Sequence, residues 1–310
     1  TLWKVQLEQF IQGDITQIDF YNNGKLQIFF ATAGTLHVID RLGNYVQPYP
    51  LKIKEQHIRF TSVIDYDHSK KYRFLIASTT GKLWMYDKDG NNLDGWKPNL
   101  CDGPLYTAPK HHRIRGKDYV IALREDGTAY AFNRRGEKIK NFPLNLQARP
   151  AGDYFLENGS TAATTNFIVI SRDGERIKFN VEGKVQSREN LIKATPDANF
   201  FMASETDLKN YVITRQEAQA LTIINDGLQD LISSDFIGKN STEINVFEFG
   251  GGKRYLTLTD LSQDLSFVYD MQGNLLNPLP IESNNIILRA SGNKVIYYSA
   301  LGNTLTMAPL

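Results

Sequence analysis

Two short acidic segments are where metal chemistry could start in this chain. Asp65-Tyr66-Asp67-His68-Ser69 and Asp19-Phe20-Tyr21-Asn22-Asn23-Gly24 place oxygen-bearing side chains in the rhythm of a Ca²⁺ loop. Ca²⁺ wants six to eight oxygens, several of them carboxylates. The first segment offers two Asp and then meets Lys70 and Lys71; the second offers one Asp. That shortfall favours polar turns, and no metal or other cofactor is expected. A longer column runs through Asp40, Asp87, Asn133, Asn180, Asn225 and Asp270, each followed closely by Gly43, Gly90, Gly136, Gly183, Gly227 or Gly273. Acid–base work would need these side chains to converge, and three of the six are Asn. An Asx side chain followed by Gly is instead a turn signal: the oxygen takes backbone N–H groups and Gly supplies a positive φ. No catalytic residue is assigned.

The other reactive types give little more. Of His37, His57, His68, His111 and His112, only the last two adjoin, and neighbours in a strand point to opposite faces. They cannot both ligate one ion, and the expectation is one toward the packing and one toward solvent. Cys101 stands alone beside Asp102, which excludes an internal disulfide and disfavours a reactive thiolate, so it reads as a small packing residue. Gly-x-Ser-x-Gly, a P-loop and a dinucleotide fingerprint are absent. Asn158-Gly159-Ser160 and Asn240-Ser241-Thr242 match the glycosylation sequon.

One charge cluster stands out. Lys110, Arg113, Arg115 and Lys117 fall within eight residues that also hold His111 and His112, and Arg134-Arg135 follow. The repeat described below puts Arg113–Lys117 and Arg134-Arg135 in two turns of one blade, on the same face. These six cations therefore form a candidate surface for an anionic ligand, with well-solvated turns as the alternative. The equivalent turns two blades on carry Asp207, Lys209 and Asp226, so the patch is expected to be local.

The elements that position these residues come from an internal repeat. A strand-like run, a tight turn, a second strand and a second turn recur, the first turn falling at Gly34, Gly81, Gly127, Gly174, Gln219, Asp264 and Gly302. Subtraction gives spacings of 47, 46, 47, 45, 45 and 38. Runs such as Leu26–Phe30, Phe74–Ala77, Tyr119–Leu123 and Phe167–Ile170 precede the turns, rich in the residues a pleated, buried surface favours. Prolines at 48, 50, 98, 143, 278 and 280 mark the exits, and Pro suits only an outer strand. Four antiparallel strands in each repeat unit predict an all-β chain, a seven-bladed β-propeller. The blades fall at about 15–55, 60–100, 105–146, 148–192, 199–232, 242–281 and 286–310 in a single domain 1–310. The last blade lacks a strand, and Leu2–Phe10 alternates Trp3, Val5, Leu7 against Lys4, Gln6, Glu8. That segment is assigned to close the ring.

With these units, such as Tyr86-Asp87-Lys88-Asp89-Gly90-Asn91, the chain resembles the seven-bladed propellers of the WD40/YVTN and quinoprotein-like groups, and most of all bacterial repeat propellers. The Gly-His and Trp-Asp dipeptides of WD40 repeats and the tryptophan-docking motif of pyrroloquinoline-quinone enzymes are absent. The resemblance implies a non-enzymatic binding or scaffolding module that shows a loop face to a protein or glycan partner. The alternative it leaves open is an enzyme with its site over the central channel, with Asp19, Asp65 and His111 as candidates on first strands.

Composition bounds the rest. Of 310 residues, Lys and Arg make 35 and Asp and Glu 34, so net charge is 35 − 34 = +1, which argues against a nucleic-acid binder. Hydrophobic residues at 41 % and charged at 22 % are globular values. No apolar run reaches the ~18 residues a spanning helix needs. The start at Thr1 without Met suggests a piece of a longer protein, and the single Cys suits an extracytoplasmic setting. A monomeric domain is expected.

Overall fold

The computed structural model describes residues 3–193, 195–204, 211–217, 220–235, 242–250, 253–292 and 294–310. Among them there is no helix; every regular element is a strand. The chain divides into two compact units, Thr1–Asn145 with Ala300–Ala308, and Leu146–Ser299 with Pro309–Leu310.

After β1 (Trp3–Gln6), unit 1 holds three antiparallel four-stranded sheets. The first is β2 (Ile11–Ile18), β3 (Gln27–Thr32), β4 (Thr35–Ile39) and β5 (Leu51–Lys52). The second is β6 (Ile58–Ile64), β7 (Arg73–Ser78), β8 (Lys82–Asp87) and β9 (Asn99–Leu100). The third is β10 (Lys110–Ile114), β11 (Lys117–Leu123), β12 (Thr128–Phe132) and β13 (Leu144–Asn145). In unit 2, β14 (Pro150–Glu157), β15 (Asn166–Ser171), β16 (Glu175–Asn180) and β17 (Val185–Asn190) share one eight-stranded sheet with β18 (Asn199–Ser204), β19 (Tyr211–Gln216), β20 (Ala220–Asn225) and β21 (Asp230–Asp235). A four-stranded sheet follows, β22 (Thr242–Glu248), β23 (Arg254–Asp260), β24 (Leu265–Asp270) and β25 (Ile281–Glu282). The last sheet has the order β26 (Asn285–Ser291), β27 (Lys294–Leu301), β28 (Thr304–Pro309), β1. There β1 lies antiparallel to β28, with Trp3 opposite Met307 and Gln6 opposite Thr304.

Third strands begin one residue past six of the seven repeat anchors, at Thr35, Lys82, Thr128, Glu175, Ala220 and Leu265, and two residues past Gly302, at Thr304; the anchor Gln219 itself lies outside the described residues. Second strands are the most buried: β3 is buried along its whole length, as its run of Ile, Phe and Ala requires. Fourth strands show the effect of proline. β5, β9, β13 and β25 are two residues long and each follows a Pro, whereas β17 and β21, with no nearby Pro, run for six. A residue without an N–H cannot extend a ladder. Sheets pack face to face through rings such as Phe29 and Phe74, stacked at 4.1 Å. Each is fully buried, worth about 1.5–3 kcal/mol.

The expected count of seven separate blades is corrected to five four-stranded sheets, the other eight strands being one sheet. The cause is local. β14 bulges between Pro150 and Tyr154, and Gly152, at φ +91°, forms a parallel bridge to Met202 of β18. A Cβ on Gly152 would lie 2.1 Å from the Met202 carbonyl oxygen, so only glycine permits this approach. Gly13 sits in a similar bulge of β2, its Cβ position 2.9 Å from the Thr61 nitrogen of β6, without becoming a sheet bridge.

Candidate functional site

The Asx column is a set of turns. Asp40 Oδ1 accepts the N–H groups of Leu42 and Asn44 at 2.8 and 2.9 Å. Asp87, Asn133, Asn180 and Asp270 do the same for residues two and four further on. In all five of these turns the positive φ falls on the expected glycine, at 43, 90, 136, 183 or 273. After Asn225 the glycine comes one residue early, so Leu228 takes the left-handed conformation at φ +64°. Asp19 and Asp65 are caps as well: Asp19 accepts Asn23 and Gly24 N–H at 3.0 and 3.2 Å, and Asp65 accepts Ser69 and Lys70 N–H at 3.0 Å each. Burial alone would raise the Asp19 carboxyl, but those N–H groups and the Lys70 ammonium hold it below the usual range. No group of three metal-ligating side chains occurs among the described residues.

The histidine expectation is corrected at one position. His112 is buried, but His111 is not turned to solvent: its side chain is 13 % exposed and its Nε2 donates to Asp118 Oδ1 at 2.9 Å. The cause is Tyr66, whose ring meets the imidazole edge-on at 4.6 Å. Burial lowers the His111 pKa, against the pull of Asp118. Cys101 is fully buried, and burial pushes its thiol up to about 12.

The basic residues are split by strand register. Ile114 faces Lys117 across the β10–β11 turn, whereas Lys110 faces Ile121 at the other end of the ladder. Four residues of strand separate Lys110 from the turn, about 13 Å at ~3.3 Å each. Arg113, Arg115 and Lys117 stay at the turn end, exposed, with Arg134 and Arg135 in the β12–β13 turn. Two of these are tied by acids, one of them far away in sequence. Arg134 grips Asp67 with two nitrogens at 3.0 and 3.4 Å and stacks over the Tyr66 ring at 4.4 Å. Arg113 lies 3.2 Å from Asp118 and 3.6 Å from Asp67. Asp118 is 10 % exposed and sits behind both guanidiniums; Asp67, 52 % exposed, sits on the water side. The Arg134 contact holds the Asp67 carboxyl below its ordinary value. A signal existed: 65 − 19 = 46 aligns the two β-turn segments, and Asp67 then replaces Tyr21 as an added acid. Asp207 and Lys209, the comparison residues for locality, lie outside the described residues.

A second repeated device fixes these turns in place. Trp96 Nε1 donates to the Arg134 carbonyl at 3.2 Å, and Tyr49 Oη to the Lys88 carbonyl at 2.8 Å. Trp3 Nε1 donates to the Arg41 carbonyl at 2.9 Å. In each case an aromatic group reaches the residue just after an Asx cap. Trp3, on β1, thus takes the position that Tyr49 and Trp96 hold after their own turns.

Unit 2 carries a polar group on first strands that was not anticipated. Ser204, at the end of β18, donates its hydroxyl to Asp153 Oδ2 of β14. On β22, Glu243 accepts from Asn245 Nδ2 at 3.2 Å; burial raises its carboxyl, and the Asp153 charge adds to that.

No family model matches this chain, and no curated protein matches it. Solved structures do. BBS1N, solved in complex with ARL6DN, matches with a TM-score of 0.67 at 11 % identity, over 98 % of this chain and 94 % of that one. BamB from Moraxella catarrhalis gives 0.53 at 12 %, over 98 % and 95 %. Sqt1 of Saccharomyces cerevisiae gives 0.58 at 12 %, over 92 % and 81 %. At such identities the likeness is one of fold: the chain has an all-β, β-propeller architecture with antiparallel four-stranded blades.

Proposed function

We propose that this chain is a non-enzymatic binding propeller that presents a loop face of unit 1 to a partner, protein or glycan. The observation that carries the reading is the fate of its carboxylates. Those spaced for chemistry (Asp19, Asp40, Asp65, Asp87, Asp270) hold turns in shape, while the exposed Arg113, Arg115, Lys117, Arg134 and Arg135 are carried by two other turns, the β10–β11 turn and the one capped by Asn133. BBS1N, a structural neighbour, was solved in complex with another protein, which fits such use. Lys110 is dropped from the surface. In this reading the eight-stranded sheet is two blades merged at Gly152, and β1 closes the ring through the Trp3 contact, in one domain. The test is retention on heparin and on an immobilised acidic peptide, for the native chain against R113S/R115S/R134S/R135S. Equal retention of both proteins at low salt refutes the rim as a binding face.

A catalytic reading keeps one supporting observation, the Asp153–Ser204 contact beside the buried Glu243 on first strands of unit 2. Turnover of glycoside substrates by the native chain, lost in D153N and E243Q, would replace the binding reading.

A further inference from the structure

We infer that the Arg113–Arg134 pair is a receptor for a carboxylate of an acidic protein segment, and that Asp67 occupies it from within as a competing ligand. The inference rests on the reading of the rim as a binding face and goes on to name what binds there. Three features of the cluster lead to it.

The pair is held ready from behind. Asp118, almost covered, lies within 3.2 Å of Arg113 and 3.9 Å of Arg134, and the Tyr66 ring supports the Arg134 plane at 4.4 Å. A planar guanidinium fixed by stacking and a buried counter-charge loses little freedom when it takes a further oxygen pair. The front is already shaped by a carboxylate. Asp67 meets Arg134 with both oxygens and approaches Arg113 at 3.6 Å, yet half of its side chain is exposed. A half-exposed ion pair contributes little net free energy, so an incoming carboxylate can displace it at small cost.

The surroundings also select a peptide. Arg113, Arg115, Lys117, Arg134 and Arg135 bring five positive charges against Asp67, Asp118 and Glu137, 5 − 3 = +2 on these turns, in a chain whose total is +1. With Asp67 displaced, the surplus that faces a partner grows by one. Carboxylates spaced along an extended chain can reach Arg115, Lys117 and Arg135 while one of them fills the pair. Sulfate groups of a glycan can reach the same cations, but the group that the cluster already accommodates is the carboxylate of Asp67, and that is the ligand chemistry the pair displays.

The experiment is fluorescence anisotropy with a fluorescein-labelled poly-glutamate peptide, and heparin as a parallel probe, at low and at ~0.15 M salt. D67A and D67N should each tighten peptide binding by about 2- to 5-fold, the worth of one exposed ion pair. E125A removes an equal charge from a half-exposed acid paired with Arg59 in the β11–β12 turn, at the other end of the ladder from Arg113, and should change binding less than about 1.5-fold. R113S/R134S should lose at least about 10-fold. Thermal midpoints of all variants show whether they fold, and the two Asp67 variants guard against one failing. Unchanged affinity in D67A and D67N, or an equal gain in E125A, overturns the inference. So does heparin bound through the pair while the peptide is not, although the rim would then still be a binding face. If neither probe distinguishes R113S/R134S from the native chain, the proposed function fails with it.

Discussion

Stability should fall on acidification below about pH 6.5, and His37 is the residue that sets the window. Its ring is 7 % exposed, lies parallel to Phe30 at a 4.8 Å centroid distance, and uses both nitrogens: Nε2 with Thr32 Oγ1 at 2.9 Å, Nδ1 with Tyr45 Oη at 3.0 Å. Burial, aided by the Lys52 charge, lowers its pKa to about 4. In the unfolded chain it titrates near 6.5. Between these values the unfolded state binds the proton and the folded state does not, so stability is complete above pH 6.5 and declines as pH falls toward 4. At ~1.4 kcal/mol for each unit, the loss is on the order of 3 kcal/mol. The assay is urea unfolding of the native chain and of H37Q at pH 7.0 and pH 4.5. H37Q should start less stable, because its packing is disturbed, but should lose less than the native chain on acidification. An equal pH dependence of the two proteins would refute the argument, since other groups would then carry the whole titration.

Three further outcomes follow from other contacts. Tyr49→Phe removes only the hydroxyl that reaches Lys88 and should cost about 1 kcal/mol, read as a fall of roughly 2–4 °C in the thermal midpoint; no change would mean that water replaces the bond fully. Asp264 occupies an anchor at φ +54° where five other repeats have glycine, so Asp264→Gly should stabilise by ~0.5–1 kcal/mol in chemical denaturation, and a loss would show that the aspartate side chain has a role there. Deleting residues 1–7 strips Trp3, Val5 and the buried Leu7 from β28 and should lower the midpoint of one cooperative transition by many degrees; an unchanged midpoint would make β1 a dispensable tail.

What could be read in advance was whatever the chain decides locally. The start of every third strand, the capping role of Asp40, Asp87 and their equivalents, and the short strands after Pro50, Pro98 and Pro143 depend on turn chemistry within a few residues. What could not be read depends on contacts distant in sequence. The bridge at Gly152 is made to a strand fifty residues on (202 − 152 = 50), and no periodicity announces it. The neutralising of Arg134 by Asp67 spans 134 − 67 = 67 residues and joins two blades. Lys110 shows a different limit: counting along a strand gives neighbours in sequence, while register decides which end of the ladder they reach. The one-residue shift that puts Leu228 in a left-handed turn was visible as an early glycine after Asn225.

The unequal fourth strands bear on how the protein resists self-association. A two-residue strand behind a proline, as in β5, β9, β13 and β25, offers too few open N–H and C=O groups for another chain to pair with. β17 has no such protection: six residues, Val185–Asn190, all exposed. It carries charge instead, Arg188 held to Glu175 at 2.7 Å and Glu189 to Arg176, so a neighbouring strand would have to bring charges of its own into register. The two kinds of edge are guarded by different forces. The proline edges stay closed in any solvent, while the guard on β17 weakens with added salt and with protonation of its glutamates. If sheets of two molecules ever join end to end, acid and salt together should start the join at β17.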